Sequence, residues 1–378
     1  MDIGIPLERS TAERRVALTP AGVGRLVNEG HQLWVERSAG LASRFPDEEY
    51  RAAGARISYD AEEVYGRADL LLKVAAPTAD EYPLLQEDKT LMCFLEPWVA
   101  PPEGFRTLLD SRVTAVAMGM IEDRAGGVPI QRAMSEIAGP MSIHVAAHLL
   151  ESGSGGRGIL LGGAPGIARA VVVILGAGVV GTTAARTAVG NGAQVILLDR
   201  DVERLRNIGP SLSCRVTTML ADPKNVSRAV GFADVLIGAV QIRGSRTPHL
   251  VTETMIRGMK SGSVAIDVSI DQGGCFETSR PTSIPEPTFC YHDVVHFAVP
   301  NMCANVARTA TYALTHASLP YVVEIASQGL SRACADDRGL IRGVVTTGGR
   351  CLHPKVAERF QVRVADPLEQ LLGHQVPT

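Results

Sequence analysis

The chain has 378 residues, a formal net charge of -3 and an ordinary apolar content. This length is enough for about two or three domains, each with its own hydrophobic core. The small negative charge, without any basic run, gives no electrostatic reason to expect nucleic acid or an anionic membrane as a partner. The N-terminal segment lacks the apolar region of a signal peptide, and no apolar stretch reaches the ~20 residues of a membrane span. We therefore expect a cytoplasmic globular protein that acts on a small molecule.

Neither the cysteines nor the histidines form a pattern typical of a metal site. The seven cysteines are scattered without a CxxC pair, at Cys93, Cys214, Cys275, Cys290, Cys303, Cys334 and Cys351. This spacing favours reduced thiols over a disulfide framework or a zinc site. His144 and His148 are one helical turn apart, but no third ligand is near them in sequence. Packed or hydrogen-bonded histidines are the better interpretation, and we predict no metal.

The first part of the chain alternates short apolar segments with segments of helical spacing. The predicted strands span residues 3–5, 32–35, 70–74, 91–95 and 113–117. The predicted helices span residues 21–29, 47–54, 60–68 and 102–111. Alternation of this kind indicates a parallel sheet covered by helices. We expect a doubly wound domain here, although it has no glycine fingerprint of its own.

A long helix at residues 130–152 and a glycine-rich loop lead to the clearest motif of the chain. An apolar strand at 171–175 precedes Gly176, Gly178 and Gly181 in a G-x-G-x-x-G turn, and helical spacing follows. In such a turn the first glycine allows the tight bend, the second lets the backbone approach a pyrophosphate, and the third allows close helix packing. The N-terminus of the following helix, at Val179 and Val180, offers N–H groups and a positive dipole to the phosphates.

The next predicted strand, 194–198, ends at Asp199, about the ~20 residues after the glycines at which a carboxylate binds the ribose hydroxyls. Strand, turn, helix, strand and acid in this order predict a nicotinamide dinucleotide site. Asp199 disfavours a 2′-phosphate by charge repulsion, whereas Arg200 next to it could accommodate one. We therefore expect NAD, with NADP less favoured.

Two further apolar segments, 233–240 and 263–268, are predicted to continue the same sheet. Because ligands lie at the carboxyl ends of such strands, the residues there are candidate cofactor contacts: Gly238, Ala239, Val240 and Val268, together with residues 269–274. Helices are predicted again at 309–317 and 319–328. We predict one NAD-binding Rossmann domain, residues 129–305, inserted into a substrate-binding domain formed by residues 1–128 and 306–378.

Several motifs together resemble alanine dehydrogenase, and the alpha subunit of nicotinamide nucleotide transhydrogenase shares some of them. The motifs are GIP near the start, ExRVALTP at 13–20, PxxxxMSEIAG at 129–139, GGAPG at 162–166, IDxxIDQGGxFE at 266–277 and NM followed by TYALTxAxLPYV. The resemblance implies an α/β fold of two Rossmann-like doubly wound domains, with the active site in the cleft between them, and a homohexamer. It also implies that the residues near the cofactor include Ser135, Gly178, Asp199, Val240, Asn301 and Met302, with Asn301 close to the substrate as well.

The same resemblance assigns the substrate carboxylate to an arginine and a lysine, and catalysis to a histidine and an aspartate. Two of these four residues are present in this chain, the arginine as Arg15 and the aspartate as Asp271. The lysine position, the second of a KVKEP motif, holds Ala75, and the histidine position of an FLH motif holds Glu96. A family glutamate in an AYET segment is replaced by Gly119.

These replacements remove a positive charge and add a negative one near the substrate, so they disfavour small 2-oxo acids. Glu96 has three interpretations: a general acid or base, an anion that binds a substrate ammonium, or a solvated carboxylate. Asp271 is a catalytic or a loop-capping residue, and Arg15 binds a carboxylate or forms a structural ion pair. Lys73, the first lysine of the motif, is expected to be structural.

We therefore expect a divergent NAD-dependent oxidoreductase that acts on a C–N bond in a bulkier or cationic amine, imine or amino acid. The alternatives are reduction of an imine of the opine or cyclic type, a redox-neutral reaction with bound NAD, and an NAD-binding protein without chemistry.

Overall fold

A computed structural model describes residues 1–10, 12–212, 215–242, 245–367 and 371, so Cys214 lies outside the described residues. The chain forms two compact units. The first consists of Met1–Met134 with Ala304–Thr378, and the second of Ser135–Cys303. Among the described residues, no helix combines the length and the hydropathy that crossing a membrane requires.

The strands of both units are mostly short and apolar. They are β1 (Asp2–Ile5), β2 (Gln32–Glu36), β3 (Arg56–Ser58), β4 (Leu70–Ala75), β5 (Thr90–Phe94), β6 (Thr114–Ala117), β7 (Val171–Leu175), β8 (Gln194–Asp199), β9 (Val216–Leu220), β10 (Val235–Gly238), β11 (Val264–Asp267), β12 (Thr288–Tyr291), β13 (Val294–Phe297), β14 (Val344–Thr347) and β15 (Arg350–Cys351).

The helices connect these strands and cover the faces of the sheets. They are α1 (Pro20–Asn28), α2 (Asp47–Ala52), α3 (Ala61–Arg67), α4 (Pro102–Asp110), α5 (Pro129–Leu149), α6 (Val179–Gly190), α7 (Val202–Ser211), α8 (Pro223–Phe232), α9 (Glu253–Arg257), α10 (Ala307–Gln328), α11 (Leu330–Asp336), α12 (Arg338–Gly343) and α13 (Pro354–Phe360). Helices α1 and α3 begin at N-cap residues, Thr19 and Asp60, whose side chains accept hydrogen bonds from the first turn. A side-chain oxygen at this position accepts a hydrogen bond from a first-turn N–H group, which would otherwise have no partner.

The sheet of the first unit has the spatial order β15-β14-β6-β5-β4-β1-β2-β3. It is parallel from β3 to β6, and β14 and β15 add antiparallel strands at one edge. Strands β2 and β3 lie on one side of β1, and β4 to β6 lie on the other side. The strand order therefore reverses between the neighbouring strands β1 and β4. In an open parallel sheet, the crevice at such a switch point is where ligands bind. In this unit it is formed by the residues that follow β1 and β4.

The sheet of the second unit repeats this arrangement, with the order β12-β13-β11-β10-β7-β8-β9. All its pairs are parallel except that of β12 with β13. Here the switch point lies between β7 and β10, and β7 is the strand that precedes the glycine turn. The predicted α/β class with two doubly wound domains is therefore confirmed.

The last predicted helices needed correction, because residues 307–328 form one helix instead of two. Pro320 lies inside α10, where it removes one backbone hydrogen bond. Leu314 and Val322, on either side of it, are fully buried, and Thr311 accepts a hydrogen bond from the Val16 N–H group. Packing on both sides of the proline therefore keeps the helix continuous, which the local sequence pattern did not indicate.

The two histidines of α5, His144 and His148, are both exposed instead of packed. His148 forms a hydrogen bond with the Ser154 hydroxyl at 3.4 Å, which agrees with the hydrogen-bonded alternative. In the described ranges, no three His, Cys, Asp or Glu side chains are arranged to hold a metal ion.

Gly181 is required by the close approach of α6 to the turn that precedes it. A Cβ atom at this position would lie 1.8 Å from the Gly176 carbonyl oxygen. We expect Gly181→Ala to lower the free energy of unfolding by at least about 3 kcal/mol, because backbone must move to admit the methyl group. Gly190, at the other end of α6, has nothing within 4 Å, so Gly190→Ala should gain roughly 0.5 kcal/mol. Thermal and urea unfolding of both variants measure this; equal stability of the two variants would contradict it.

The buried His296 predicts a pH dependence of stability. Its Nε2 accepts from the Thr278 hydroxyl at 2.9 Å, its Nδ1 donates to the Val294 carbonyl at 3.0 Å, and burial lowers its pKa. The unfolded chain therefore binds the proton more readily, and the free energy of unfolding should fall as the pH drops below about 6.5. In urea titrations between pH 7 and 5, His296→Phe should reduce this slope, whereas His144→Phe at an exposed position should not.

Candidate dinucleotide and substrate sites

The glycine turn after β7 has the shape that a dinucleotide requires. Gly176 has a φ of +100°, and a Cβ atom there would lie 2.4 Å from the Ala239 carbonyl oxygen. Only glycine therefore satisfies both the backbone conformation and the space. A Cβ atom at Gly178 would meet nothing within 4 Å, so the chain is open on that side. The turn is tight against the sheet and open where a pyrophosphate would approach.

Helix α6 begins directly after this opening. Its N-cap is Gly178, which has no side chain to satisfy the N–H groups of the first turn. Val179 and Val180 provide the first N–H groups, and both residues are half-buried. A 12-residue helix has a sizeable dipole, whose positive end lies at this opening. The first turn can therefore bind phosphate oxygens through backbone alone.

Asp199 ends β8 beside the glycine turn. Its Oδ2 accepts from the Ala177 N–H group at 2.6 Å, and its Oδ1 accepts from the Asp201 N–H group at 2.8 Å. The carboxylate is mostly buried, and the Arg204 guanidinium is 4.0 Å away. Arg200 is exposed. This places an anchored anion where ribose hydroxyls donate, an arrangement that fits NAD.

The ends of β10 and β11 lie on the same side of the sheet. The Ala239 N–H group donates to the Leu175 carbonyl at 2.8 Å, and the Val240 N–H group donates to the Ser269 hydroxyl at 3.0 Å. Gly238 is buried, with no room for a side chain beside Cys275. These two hydrogen bonds hold the residues after β10 next to the end of β7 and the segment after β11. The half-buried Val268 is the first residue after β11.

Asp271 lies in a turn that is held by another carboxylate, which the sequence reasoning did not single out. The buried Asp267 accepts from the Ser269, Cys275 and Phe276 N–H groups, at 3.1, 2.9 and 3.2 Å. Burial raises the pKa of Asp267, while these hydrogen bonds oppose that shift. The position at the end of β11, before a turn with two glycines, was the available signal, because carboxylates commonly cap such turns. Asp267 thus fixes the turn that carries Asp271.

The Asp271 side chain is joined to the segment after β13. Its Oδ1 accepts from the Asn301 N–H group at 2.9 Å, and Asn301 has a φ of +53°. Met302, the next residue, is buried. Ser135, also buried, lies in α5 where the second unit begins. The second unit therefore brings Asp271 and Asn301 together.

In the first unit, Arg15 is held by Glu13. Nε and Nη2 of Arg15 lie 2.8 and 2.6 Å from the two carboxylate oxygens of Glu13, and both side chains are buried. Nη1 lies 3.2 Å from the Met134 sulfur, and the guanidinium is 5.9 Å from the centre of the Phe94 ring. The bidentate pair fixes the direction of the guanidinium. Arg15 therefore forms a buried ion pair with Glu13.

Ala75, the last residue of β4, lies at the switch point of the first unit. Glu8, which follows β1, accepts from the Val74 and Ala75 N–H groups at 2.6 and 3.3 Å. Ala75 is half-buried. Glu8 therefore ties the ends of the two central strands together directly at the position where the family resemblance places a lysine.

Lys73 is fully enclosed next to this position. Its Nζ lies 3.2 Å from Glu8 and 2.8 Å from Glu81, and Tyr65 donates to Glu81 at 2.9 Å. Although burial acts against the charge, the two carboxylates raise the pKa of Lys73. Burial raises the pKa of Glu8, whereas for Glu81 the nearby ammonium outweighs burial and lowers the pKa. This geometry supports the structural role expected for Lys73.

Glu96 follows β5 in an unusual backbone conformation. Its φ is +42°, and its carbonyl oxygen accepts from the Val99 and Ala100 N–H groups at 3.1 and 3.0 Å. The side chain is half-buried, next to the buried Leu95 and Trp98. A left-handed conformation in a residue other than glycine is costly and is enriched at functional sites. The turn after β5 therefore holds Glu96 in a strained backbone conformation.

Most of the chain matches the two domains of one protein family. Residues 4–138 match the family described as alanine dehydrogenase/PNT, N-terminal domain, and residues 142–354 match its C-terminal domain. The chain belongs to the alanine dehydrogenase/PNT family. It is an oxidoreductase of the amino acid dehydrogenase type and uses NAD.

Individual members of the family are similar over almost the whole chain. An alanine dehydrogenase from Methanococcus maripaludis is 43% identical over 375 residues, which cover 99% of this chain and 100% of the relative. A solved structure of L-alanine dehydrogenase has a TM-score of 0.90 at 42% identity and covers 96% of this chain and 99% of its own. A transhydrogenase from Sinorhizobium meliloti has a TM-score of 0.77 at 25% identity, with 94% of this chain and 99% of its own covered.

Asp199 should determine how this family member binds its cofactor. We expect Asp199→Ala to weaken NADH binding roughly 10- to 100-fold, because hydrogen bonds to a carboxylate are lost, and to narrow the preference for NADH over NADPH. Fluorescence titration with both cofactors measures the two dissociation constants. Glu203→Ala, an exposed change on α7, is the control. Unchanged affinities in Asp199→Ala would exclude Asp199 from the ribose site.

Proposed function

We propose that this chain uses NAD to oxidise the C–N bond of an amino acid bulkier than alanine, and reduces the corresponding oxo acid or imine in the reverse direction. One observation carries the proposal: the switch point of the first unit presents Ala75, where the resemblance places the substrate lysine. The Lys73 ammonium does not replace that charge, since Glu8 and Glu81 enclose it. Ala75 thus leaves both space and less positive charge next to the substrate.

Arg15 is the cation that we assign to the substrate carboxylate. Glu13 occupies Nε and Nη2, and Nη1 faces the sulfur of Met134. A thioether is a weak acceptor, so a carboxylate oxygen competes well for Nη1. Glu13 keeps the guanidinium oriented while the substrate binds. This assignment explains why both side chains of the pair are buried within the ExRVALTP motif.

The dinucleotide residues provide binding, and two carboxylates are assigned to proton transfer. NAD bound at the glycine turn would supply the hydride acceptor, and hydride loss from the neutral amine leaves an iminium ion. We assign Asp271, held by the Asn301 N–H group and by the turn that Asp267 caps, to accept the proton released when water adds to the iminium carbon, after which ammonia leaves and the oxo acid forms. Glu96 either shares this proton transfer or binds the substrate ammonium as a fixed anion. Following the family resemblance, we assign Asn301 to the substrate and Met302 to the cofactor.

The remaining parts of the proposal follow the family resemblance. We propose a homo-oligomer, a hexamer by that resemblance, and a cytoplasmic location. Reduction of an opine-type or cyclic imine is an alternative substrate choice for the same residues. An NAD-binding protein without chemistry is the alternative of a different class, since the lysine and histidine positions hold Ala75 and Glu96.

Substrate choice is tested with the unaltered chain and a double variant. With NAD, we expect the unaltered chain to oxidise larger amino acids with a higher kcat/KM than L-alanine. Ala75→Lys combined with Glu96→His should raise kcat/KM for L-alanine about 10²-fold, because it restores a cation and a group that titrates near neutral pH. NADH absorbance measures both, and Ala76→Lys with Glu96→His is the matched control.

Two results would contradict parts of the proposal. If the unaltered chain oxidised L-alanine faster than every other amino acid or amine, the substrate choice would be wrong. If it bound NADH without turnover in either direction across amino acids, amines, oxo acids and cyclic imines, the NAD-binding alternative would replace it.

A further inference from the structure

Gln131 lies in the first unit on the face of α5 that also carries Met134. The two residues are three positions apart in the helix, so their side chains lie on the same face. Gln131 is half-buried, and Met134 is buried against Arg15. The face of α5 that contacts the proposed substrate arginine therefore continues to Gln131.

Gly119 lets the Gln131 amide and the Phe94 ring lie close to the backbone. A Cβ atom at Gly119 would lie 3.0 Å from Gln131 Oε1 and 3.4 Å from Phe94 Cδ1, which is tight for a side chain. The amide and the ring therefore occupy the space beside this glycine. Where the family resemblance places a glutamate side chain, this chain has the Gln131 amide.

Phe94 lies between Gly119 and Arg15. Its ring edge is next to the Gly119 position, and the Arg15 guanidinium lies 5.9 Å from the ring centre. Gln131 and Arg15 are therefore both close to Phe94 within the first unit. A substrate whose carboxylate is bound by Arg15 would extend its side chain along Phe94 towards the amide.

The Gln131 amide has no hydrogen-bond partner among the residues that the structure describes. Because the side chain is half-buried, its amide is open to a hydrogen-bonding group from outside the chain. The amide offers one acceptor and two donors but no charge. It is therefore suited to a neutral polar group rather than to an ionised one.

The charges of the nearby residues also disfavour an acidic side chain. Arg15 is paired with Glu13 and is assigned to the substrate's own carboxylate, and Glu96 is two residues beyond Phe94 in the sequence. A second substrate carboxylate would therefore add negative charge near residues whose one cation, Arg15, already faces two carboxylates. A hydroxyl or a carboxamide, in contrast, needs only the hydrogen bonds that Gln131 supplies.

We propose that Gln131 is a specificity-determining residue, which selects amino acids whose side chain ends in a hydroxyl or a carboxamide. This inference rests on the proposed function, because it takes Arg15 as the carboxylate site. It names the substrate class: neutral polar amino acids larger than alanine, and the matching oxo acids.

The test compares pairs of amino acids that have nearly the same shape, threonine with valine and asparagine with leucine. For the unaltered chain with NAD, kcat/KM for the polar member should exceed that for the apolar member at least about 10-fold, the effect of one buried hydrogen bond. Gln131→Met keeps the length and the helix propensity and should reduce each ratio about 10-fold. Gln328→Met, another half-buried helical glutamine of the first unit, should leave the ratios unchanged.

Calorimetric binding of the same four amino acids to the NADH complex separates this inference from the proposed function. If no amino acid is turned over but the polar members bind more tightly and Gln131→Met removes that difference, the oxidation is wrong and the role of Gln131 stands. If turnover occurs and Gln131→Met leaves both ratios unchanged, Gln131 is not a specificity residue, although the oxidation stands. Absence of any difference in binding and in turnover would overturn the inference. Thermal unfolding confirms that each variant is folded, and Gln131→Leu provides a second removal of the amide.

Discussion

The candidate substrate site depends on one buried interaction, the bond between Glu8 and the end of β4. Glu8 follows β1, and its carboxylate accepts from two backbone N–H groups of the neighbouring strand and contacts the Lys73 ammonium. Removing one partner from such a buried network leaves a charge without compensation, which typically costs about 3–5 kcal/mol. The network therefore fixes the two strand ends at the switch point with little freedom. Ala75 lies at this switch point, and its backbone position is fixed by Glu8, which Lys73 contacts.

In the second unit, too, a buried carboxylate accepts hydrogen bonds from backbone N–H groups, and there the residue is Asp267. Asp267, at the end of β11, accepts from three backbone N–H groups and so shapes the turn that carries Asp271. In both units a buried carboxylate accepts hydrogen bonds from backbone N–H groups close to a candidate site residue, Ala75 in the first unit and Asp271 in the second. Hydrogen bonds to a charged group are strong and directional, so they position a loop better than apolar contacts do. The two units therefore fix a loop in the same way and also share their sheet topology.

Strands β1, β2, β4, β7 and β8 could be predicted from the sequence, because hydrophobic periodicity and the glycine turn are local signals. The sequence did not indicate β3, β9 or β12, which lie at the edge of their sheets and whose side chains are partly exposed, nor the short buried strand β13. The break predicted at residue 318 is absent, because tertiary packing keeps α10 continuous. At the site, Asp267 and Gln131 were not predicted, since their roles come from contacts with residues distant in sequence. Hydrophobic periodicity in a sequence indicates which residues are buried, but it does not indicate the hydrogen-bond partner of a buried polar side chain.

Family membership and the proposed substrate choice are compatible, because they depend on different features of the chain. The two sheets, their turns and the glycine turn depend on burial and backbone conformation, whose requirements do not depend on the substrate. In our proposal, substrate choice depends on a few side chains at the end of β4, after β5 and in the first turn of α5. At these positions the chain has Ala75, Glu96 and Gln131, and the nearby Lys73 is enclosed by two carboxylates. On this proposal the chain keeps the fold and the cofactor site of its family, while the charge and the size of its substrate differ.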